Sequence, residues 1–494
     1  MKRIVSASDQ LNRARRACAV LALCAATAAA LPAQTFYPLF LFGGTNGYEP
    51  MAALVQGTDG NLYGTTAYGG PGFVNAFPIF DPGSGTVFKL SGGGALTTLH
   101  NFCSQSGCAD GEVPEAGLVQ GADGDLYGTT SGGGTSAGGT VFRISPGGTL
   151  TTLYNFCSQS LCTDGEIPGA ALIQAADGYL YGTTENGGAG VYESPNGGGT
   201  VFKVTPDGKL TTLYSFCSSG GVCPDGQGTY AALVQATDGD FYGTTGYGGA
   251  NGNAGTVFKI TPSGALTTLY SFCAVGSYPN CTDGKWPYAG LVQATNGDFY
   301  GTTSSGGAAN DGTIFKITPS GTLTTLYSFD SQGGSHAALI QGTDGNLYGT
   351  AGDGTASTAF KITLGGTLTT LYTFSSPDSG SDPNGLVQAT SGYFFGTTNG
   401  EGVNYGTVFG LSVGLGPFVK TQPHFGAVGA AITIFGTDLT GATSVTFNGT
   451  PAAFEVVSAT EVRTSVPVGA TTGSVQVTTP GGALASAGPF LVAP

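Results

Sequence analysis

The amino-acid sequence predicts an all-β protein, with a seven-bladed β-propeller followed by a smaller β domain. The main evidence is a block of sequence that recurs seven times between residues 36 and 415, at spacings of 47 to 64 residues. That spacing is about the length of one propeller blade. The composition agrees, since 88 of 494 residues are glycine and only 9% are charged, where charged residues usually make up about 25%. With 40% apolar residues, the chain can still form a core.

Residues 1–33 predict a secretory signal peptide. Basic residues, among them Arg15 and Arg16, precede an apolar run over residues 17–31, and small residues lead up to Gln34. The run is too short to span a membrane as a stable helix, so no membrane span is expected in the mature chain. We therefore expect an exported protein that is extracellular, at the cell surface or periplasmic. An uncleaved anchor is the alternative.

Each repeat contains four short apolar runs separated by turn residues, which predict four strands, A to D. Asp-Gly between A and B, and Pro-Ser-Gly or Pro-Gly-Gly between C and D, favour tight hairpin turns. One four-stranded sheet of this size cannot bury both of its faces. Radial stacking of such sheets around an axis solves that problem and predicts a propeller.

Strand D is the exception, because the last repeat lacks it. The chain has seven A, B and C strands but only six D strands of the L-T-T-L type. The apolar segment 35–42, just before the first A strand, can supply the missing one. We therefore predict that the N-terminal strand completes the last blade and closes the ring.

The repeated string G-L-V-Q-x-T-D-G-D-F-Y-G-T-T, followed by G-T-V-F-K-I-T-P-S-G-T-L-T-T-L-Y-S-F, resembles the Gloeo/Verruco (GloVer) tandem repeat of exported bacterial proteins. This resemblance covers roughly residues 36–415 and implies an extracellular setting, and the predicted propeller comprises residues 34–415. It implies no activity, because the family provides no catalytic residues to transfer.

Residues 417–494 form a second predicted domain, with short strands at 431–436, 444–448, 454–458, 461–466 and 473–479. The strings G-A-T-S-V-T-F-N-G-T and V-P-V-G-A-T-T-G resemble the IPT/TIG immunoglobulin-like domain, which implies a β-sandwich. Some domains of this type sit on DNA, but only Lys420 and Arg463 are basic here. Since nucleic-acid binding needs a basic surface, no nucleic acid is expected as a partner. A spacer or adhesive module is the resulting expectation.

Eight cysteines remain after the signal peptide, and they fall in four local pairs just after strand D of the first four repeats. Disulfides are expected in an exported chain with an even number of paired cysteines. Zinc is the rival interpretation, but no histidine lies near any pair, so no metal site is predicted. The predicted pairs are Cys103/Cys108, Cys157/Cys162, Cys217/Cys223 and Cys273/Cys281.

The sequence contains no motif in the structural context that catalysis would require, so no catalytic residue and no cofactor is predicted. The G-x-S-x-G spelling at residues 134–138 lies in a glycine-rich B–C loop, without the strand-turn-helix context of a nucleophile elbow. The D-G-D strings at Asp123 and Asp238 leave calcium conceivable but unsupported, since hairpin turns explain them.

Polar residues that recur in nearly every repeat are most simply structural. The glutamine that ends each strand A, from Gln56 to Gln388, predicts a hydrogen-bonded ring. An aspartate in the A–B turn and a lysine or arginine in strand C, such as Asp238 and Lys259, predict an ion pair at one end of each blade.

The other end of the ring carries the long B–C loops and D–A connections, where binding usually develops on a rigid scaffold. Residues just before strand A should surround the axial opening there, and unlike the repeated positions they differ from blade to blade. Packing between blades is the simpler interpretation of these residues. The predicted ligand-binding residues are Glu115, Tyr230, Trp286, Tyr288 and His336.

Three classes of function remain. The favoured one is an exported, non-catalytic binding or adhesion protein whose partner is an extracellular glycan or protein. The alternatives are a propeller enzyme, a lyase or hydrolase acting on extracellular polysaccharide, and a purely structural surface component. The sequence leaves the ligand and the oligomeric state undetermined.

Overall fold

The structure is a computed structural model, which describes residues 34–493 except 77–78, 190–196, 219–222, 331–332, 353–356, 375–379 and 401–404. The predicted signal peptide lies outside the described residues. Within them, regular structure is almost entirely β, with short 3-10 helices at Ser106–Cys108 and Ser160–Cys162. None of the described helices is long and apolar enough to cross a membrane.

Seven four-stranded antiparallel sheets follow the seven repeats, and we number them 1 to 7. Within sheets 1 to 6 the strands lie in chain order A-B-C-D. Sheet 1 contains Val55–Gln56, Leu62–Thr66, Thr86–Leu90 and Leu96–Asn101. Sheet 2 contains Val119–Gln120, Leu126–Thr130, Thr140–Ile144 and Leu150–Asn155. Sheet 3 contains Ile173–Gln174, Leu180–Thr184, Thr200–Val204 and Leu210–Ser215.

The next three sheets repeat this pattern. Sheet 4 contains Val234–Gln235, Phe241–Thr245, Thr256–Ile260 and Leu266–Ser271. Sheet 5 contains Val292–Gln293, Phe299–Thr303, Thr313–Ile317 and Leu323–Ser328. Sheet 6 contains Ile340–Gln341, Leu347–Ala351, Thr358–Ile362 and Leu368–Thr373. Two short hairpins lie in the loops, at Val74–Ala76 with Ile79–Asp81 and at Gly276–Ser277 with Asn280–Cys281.

Sheet 7 is composed of both ends of the repeat region. Its strands A to C are Ser381–Gln388, Phe394–Asn399 and Thr407–Ser412, and its outer strand is Thr35–Leu41. That N-terminal strand pairs antiparallel with strand C, from Thr35 opposite Ser412 to Leu41 opposite Thr407. Its Phe36 ring stacks on Tyr372 of sheet 6, with ring centroids 3.8 Å apart. The predicted pairing of the N-terminal segment with the last repeat is therefore present.

The core lies between neighbouring sheets, where strands B and C are buried. Tyr181 and Phe216 of sheet 3 pack with Phe241 and Phe258 of sheet 4. The glycine of each L-Y-G-T-T string is required by this packing. At Gly243, for example, an added Cβ would lie 2.6 Å from the ring of Phe258, its partner on strand C of the same sheet, so any larger residue would displace that buried ring.

Hydrogen bonds connect each sheet to the next near the start of strand A. Thr65 in sheet 1 donates to the carbonyl of Ala116 in sheet 2, at 2.8 Å. The same contact joins Thr397 of sheet 7 to the carbonyl of Ala52 in sheet 1, at 2.9 Å. The series of contacts therefore returns from the seventh sheet to the first.

The glutamines at the ends of the A strands form a second series of contacts between sheets, as predicted. Gln174 Oε1 accepts the backbone N–H of Ala122 in the preceding sheet at 2.8 Å, and its Nε2 donates to the Gly178 carbonyl in its own A–B turn. Across the junction of sheets 7 and 1, Gln56 Oε1 accepts the N–H of Thr390 at 2.9 Å. All seven glutamine oxygens accept such a bond, namely those of Gln56, Gln120, Gln174, Gln235, Gln293, Gln341 and Gln388.

The C-terminal part contains two four-stranded sheets that share one apolar core, an arrangement consistent with a β-sandwich. The five strands predicted from sequence are present to within two residues at each end. The first sheet contains Lys420–Gln422, Ala431–Phe435, Glu461–Ser465 and Phe454–Val456. The second contains Thr450–Ala452, Ser444–Phe447, Val475–Thr479 and Gly482–Ala485, and Phe425–Gly426 pairs parallel with Leu491–Val492.

Candidate functional site

The ends of the repeat sheets differ in chemistry. One end carries the A–B and C–D turns, and we call it the turn end. The opposite end carries the B–C loops, the D–A connections and all the cysteine pairs, and we call it the loop end.

At the turn end, the repeated aspartate is held mainly by a tyrosine, and this corrects the predicted aspartate–lysine pairing. Asp238 accepts the Tyr242 hydroxyl at 2.8 Å, and the equivalent bond occurs in sheets 1, 2, 3 and 6. The predicted ion pairs form at Asp59–Lys89 and Asp238–Lys259, at 2.8 and 3.1 Å. Lys203 instead lies over the Tyr179 ring. In two other sheets the cation reaches a carboxylate two residues further on, as in the pairs Arg143–Asp125 and Lys316–Asp298.

At the loop end, each of the four predicted cysteine pairs is joined by a disulfide. These bonds are Cys103–Cys108, Cys157–Cys162, Cys217–Cys223 and Cys273–Cys281. Each bond closes a short loop within one D–A connection. The zinc interpretation of these cysteines is therefore wrong, because a sulfur in a disulfide is not a free thiolate ligand.

Cys223, whose predicted disulfide is present, also has a polar neighbour. Its sulfur also lies 3.6 Å from the Gln227 side-chain oxygen. The bond to Cys217 leaves no S–H on Cys223, so this approach is a contact and not a hydrogen bond. Cys223 is also buried, at 8% exposure, so its disulfide packs into the protein beneath the loop. The contact with Gln227 could not be foreseen from the spacing of the cysteines.

A buried aspartate that follows the second cysteine organises these loops. Asp164 accepts the N–H and hydroxyl of Ser158 and the Tyr154 hydroxyl. In the fourth loop, Asp283 accepts the Tyr270 hydroxyl. Sequence reasoning missed this role, although a D-G dipeptide follows every pair.

One carboxylate approaches a cysteine pair, but it does not complete a metal site. Glu112 lies near Cys103 and Cys108. The disulfide occupies both sulfurs, so only the carboxylate could offer a ligand atom.

A strained backbone position precedes strand A in several D–A connections. Val113, Ile167 and Trp286 have φ values of 57°, 58° and 59° at equivalent positions of three connections. Trp286 donates its backbone N–H to the Ala254 carbonyl and accepts the Ser304 N–H, so hydrogen bonds on both sides hold it in this conformation. The structure therefore gives Trp286 a backbone role that sequence reasoning did not foresee.

The Trp286 ring has different neighbours from the predicted tyrosines. The Lys285 ammonium lies 4.8 Å from the ring centroid, and Lys285 donates to the Pro279 carbonyl at 3.0 Å. Among the described residues, no aromatic ring pairs with Trp286. Its indole N–H is buried without a hydrogen-bond partner there.

Three of the predicted residues, Tyr230, Tyr288 and His336, come together as an aromatic arc across sheets 4, 5 and 6. The rings of Tyr230 and Tyr288 are 5.2 Å apart and perpendicular, and the His336 ring lies 5.8 Å from Tyr288. The Tyr288 hydroxyl donates to the hydroxyl of Tyr247 at 2.7 Å. Burial, followed by this hydrogen bond, raises the pKa of Tyr288, so its hydroxyl is uncharged at neutral pH.

The arc continues into a group of carboxylates on sheets 1, 2 and 3. An added Cβ on Gly169 would clash with Oε1 of Glu185 and would lie 3.8 Å from Oε2 of Glu115, so both carboxylates lie beside this glycine. Burial and then the charge of Glu49 raise the pKa of Glu115. Burial and the charge of Glu115 raise the pKa of Glu185 to about 7.

The carboxylates and the arc form one surface, which we call the mouth: Glu49, Glu115, Glu185, Tyr230, Tyr247, Tyr288 and His336. The two groups are close enough to interact electrostatically, since the pKa of Tyr230 is raised to about 12 by burial and next by the charge of Glu185. Within the described residues, neither Glu115 nor Glu185 has a side-chain hydrogen bond or a cationic partner. The mouth thus combines aromatic rings with two half-buried carboxylates, those of Glu115 and Glu185, that have no donor among the described residues.

Glu185 and Tyr247 were not predicted, and a signal for them exists in the sequence. Both follow strand B, whereas the prediction considered only residues before strand A. In the structure these two segments pair antiparallel, as in the bridge between Gln227 and Tyr247. The residues that follow each L-Y-G-T-T string are therefore part of the same rim.

The fold and the mouth define an all-β repeat protein with a C-terminal sandwich and a surface of carboxylates and aromatic rings at the loop end. The sequence pattern of the Gloeobacter/Verrucomicrobia repeat matches residues 80–282, 192–409 and 277–453. The chain therefore belongs to the Gloeobacter/Verrucomicrobia repeat family, and residues 419–491 match the IPT/TIG domain.

The solved structures that a structural comparison matches share little sequence with this chain. A gluconolactonase from Xanthomonas campestris is 14% identical, with 78% of this chain and 92% of the other covered and a TM-score of 0.38. A protein of unknown function from Dyadobacter fermentans is 11% identical, with 77% and 99% covered and a TM-score of 0.43. A nidogen/laminin complex gives 14% identity, 60% and 93% coverage and a TM-score of 0.37. A comparison with curated protein sequences finds no significant match.

Proposed function

We propose that this protein is an exported, non-catalytic binding protein whose ligand occupies the mouth. The ligand class that fits best is an extracellular glycan, with a peptide as the alternative within the same mode of binding. The observation that carries this proposal is the pair of half-buried carboxylates, Glu115 and Glu185, which lack donors among the described residues and lie near a tyrosine arc.

The proposal includes a seven-bladed propeller closed by the N-terminal strand. Support comes from the contacts between sheets 7 and 1, where Gln56 binds Thr390, Thr397 binds Ala52, and Asn384 Nδ2 donates to the Pro50 carbonyl at 2.8 Å. Apolar residues of both sheets also share one core cluster, including Phe88. Such a ring holds the mouth rigid, so little ordering is required when a ligand binds.

The physical case for a ligand is the partial burial of the two carboxylates. A half-buried carboxylate without donors is less stable than one in water, and the raised pKa of Glu185 expresses that cost. Ligand hydroxyl groups would donate to Glu115 and Glu185 and remove the penalty. Tyr230 and Tyr288 add rigid apolar area, which suits the C–H faces of a sugar ring.

Export is supported by the four disulfides, because such bonds persist in oxidising compartments and are rare in the cytosol. The C-terminal domain fits a role as a spacer or adhesive module in that setting. Extracellular, cell-surface and periplasmic locations all agree with these features.

The second candidate is an enzyme that acts on extracellular polysaccharide. One observation favours it: a carboxyl with a pKa of about 7, as at Glu185, is suited to general acid catalysis near neutral pH. An enzyme would produce shortened or unsaturated products from a bound glycan. A binding protein would release the glycan unchanged.

The test is a thermal-shift screen of the purified mature protein against glycans, peptides and calcium. We expect a saturable rise in melting temperature with a glycan or peptide. Tyr288→Ala and Glu185→Gln should each remove most of that rise, whereas Tyr179→Ala, an exposed tyrosine at the turn end, should leave it unchanged. The rise in melting temperature of Trp286→Ala measures whether the Trp286 indole contributes to ligand binding.

Three results would contradict the proposal. The first is the absence of a shift with every ligand in the screen, and the second is full binding by Glu185→Gln together with Tyr288→Ala. The third is product release from a bound glycan that stops in Glu185→Gln, which would establish the enzyme instead. Because Glu185→Gln removes a destabilising charge, its loss of binding cannot be attributed to misfolding.

A further inference from the structure

The C-terminal domain crosses the turn end of the ring of sheets. The Phe418 N–H binds the Thr390 carbonyl of sheet 7 at 2.9 Å, and Gln422 Nε2 binds the Gln120 carbonyl of sheet 2 at 2.6 Å. Two residues further along, His424 faces the A strands of sheets 4 to 6. Residues 418–424 therefore run from one side of the turn end to the other.

A chamber of about 680 Å³ remains between this segment and the sheets. Residues in or directly before the A strands, including Val234, Val292 and Leu339, form one wall. The loop that contains Ala487 and Pro489 of the C-terminal domain forms the other wall. The volume lies within the range of about 300–1,000 Å³ typical of small-molecule sites.

The polar groups of the chamber determine what it can hold. The amide oxygens of Gln235, Gln293 and Gln341 already accept backbone N–H groups of neighbouring sheets. Within the described residues, the His424 imidazole and the Ser474 hydroxyl have no hydrogen-bond partner. Neither Asp, Glu, Lys nor Arg occurs among the described lining residues, so an ionised ligand would find no counter-charge there.

We propose that this chamber is a second binding site, for an uncharged small molecule with an apolar body and one or two hydrogen-bonding groups. His424 and Ser474 bind its polar groups, and the valine and leucine side chains of the A strands contact its apolar body. The site is separate from the mouth and does not depend on the function proposed for it.

The test uses the neutral dye Nile red, titrated into the full mature chain and followed by its fluorescence. We expect saturable, one-to-one binding with blue-shifted emission. Ala487→Trp places an indole in the chamber and should weaken binding by about tenfold or more, which corresponds to about 1.4 kcal/mol. Ala483→Trp adds the same group to an exposed strand of that domain outside the chamber and should leave binding unchanged.

A second pair of variants fills the chamber from the opposite wall. Val292→Phe should weaken dye binding, whereas Val119→Phe, the equivalent strand-A position in sheet 2, should not. Absence of saturable binding by the wild-type protein would overturn the proposal. So would wild-type affinity in Ala487→Trp or Val292→Phe when the melting temperature shows that the variant is folded.

Discussion

The hydrogen-bonded glutamines should stabilise every junction between sheets equally, and Gln174→Leu tests one junction. Gln174 accepts the Ala122 N–H at 2.8 Å, donates to the Gly178 carbonyl at 3.2 Å, and is 8% exposed. Leucine keeps the volume but leaves both backbone groups unpaired in a partly buried position. A neutral hydrogen bond contributes about 0.5–1.5 kcal/mol, and an unpaired buried group adds to the loss. We therefore expect the free energy of unfolding to fall by about 2 kcal/mol.

Urea unfolding with intact disulfides measures this loss, and Gln105→Leu is the matched control. Gln105 is exposed on a cysteine loop, with no side-chain hydrogen bond within the described residues, so its variant should change the free energy of unfolding by no more than about 0.5 kcal/mol. Gln56→Leu then examines the junction between sheets 7 and 1, where Gln56 binds Thr390. A loss for Gln56→Leu equal to that for Gln174→Leu is expected. A loss no larger than the control would refute a closed ring.

Three further predictions concern stability. Deleting residues 35–42 removes the outer strand of sheet 7 and should lower the melting temperature by about 10 °C or more. A double-mutant cycle on Asp238 and Lys259, which lie 3.1 Å apart, should give a coupling of about 0.5 kcal/mol at low salt and none at 1 M salt. Glu185→Gln should raise stability at pH 8 by about 2 kcal/mol and have little effect at pH 4, as measured by urea unfolding.

The sign of the pH effect follows from the raised pKa of Glu185, about 7 in the folded protein. Between the ordinary carboxyl pKa and 7 the folded state binds more protons than the unfolded chain, so stability falls as the pH rises through this window. Glutamine has no charge to desolvate and avoids that fall. If the free energy of unfolding of Glu185→Gln depended on pH in the same way as that of the wild type, this explanation would be contradicted.

The double-mutant cycle and the deletion of residues 35–42 each have a matched control in this chain. The pair Asp177 and Lys203 occupies the same positions in sheet 3, but Lys203 lies over Tyr179 instead. A double-mutant cycle on Asp177 and Lys203 should therefore give no coupling energy. Equal coupling energies in the two cycles would mean that the coupling at Asp238 and Lys259 does not come from their ion pair. For the deletion, Leu41→Ala provides a mild change in an exposed residue of the same strand. Near-native melting of the deletion would refute its role in closing the ring.

Repetition explains why so much of the fold could be predicted from sequence. Strand order, turn positions and the ring of glutamines depend on residues that recur in the same local setting seven times. The N-terminal strand was predicted by counting, since the last repeat lacks one strand. The local cysteine pairs were predictable because few residues separate the members of each pair, whereas the packing of Cys223 against Gln227 was not.

The mouth and the docking of the C-terminal domain could not be predicted as fully, because both depend on residues that do not recur. Glu115, Tyr230, Tyr288 and His336 were identified at positions before strand A. Glu185 was missed because its position after strand B is occupied by small residues in several other repeats. The predicted Asp–Lys pairs were only partly present, because some of the cations reach other partners, as Lys203 and Arg143 do. The contact of Gln422 with Gln120 joins residues 302 positions apart, and no local pattern signals it.

Hydroxyl-radical footprinting with a ligand from the thermal-shift screen tests the central claim, that the mouth is the binding surface, most directly. The oxidation of each tyrosine is compared with and without ligand. We predict that Tyr230 and Tyr288 become protected, while Tyr179 and Tyr393 at the turn end keep their oxidation rates. Protection at the turn end with none at the mouth would contradict the account.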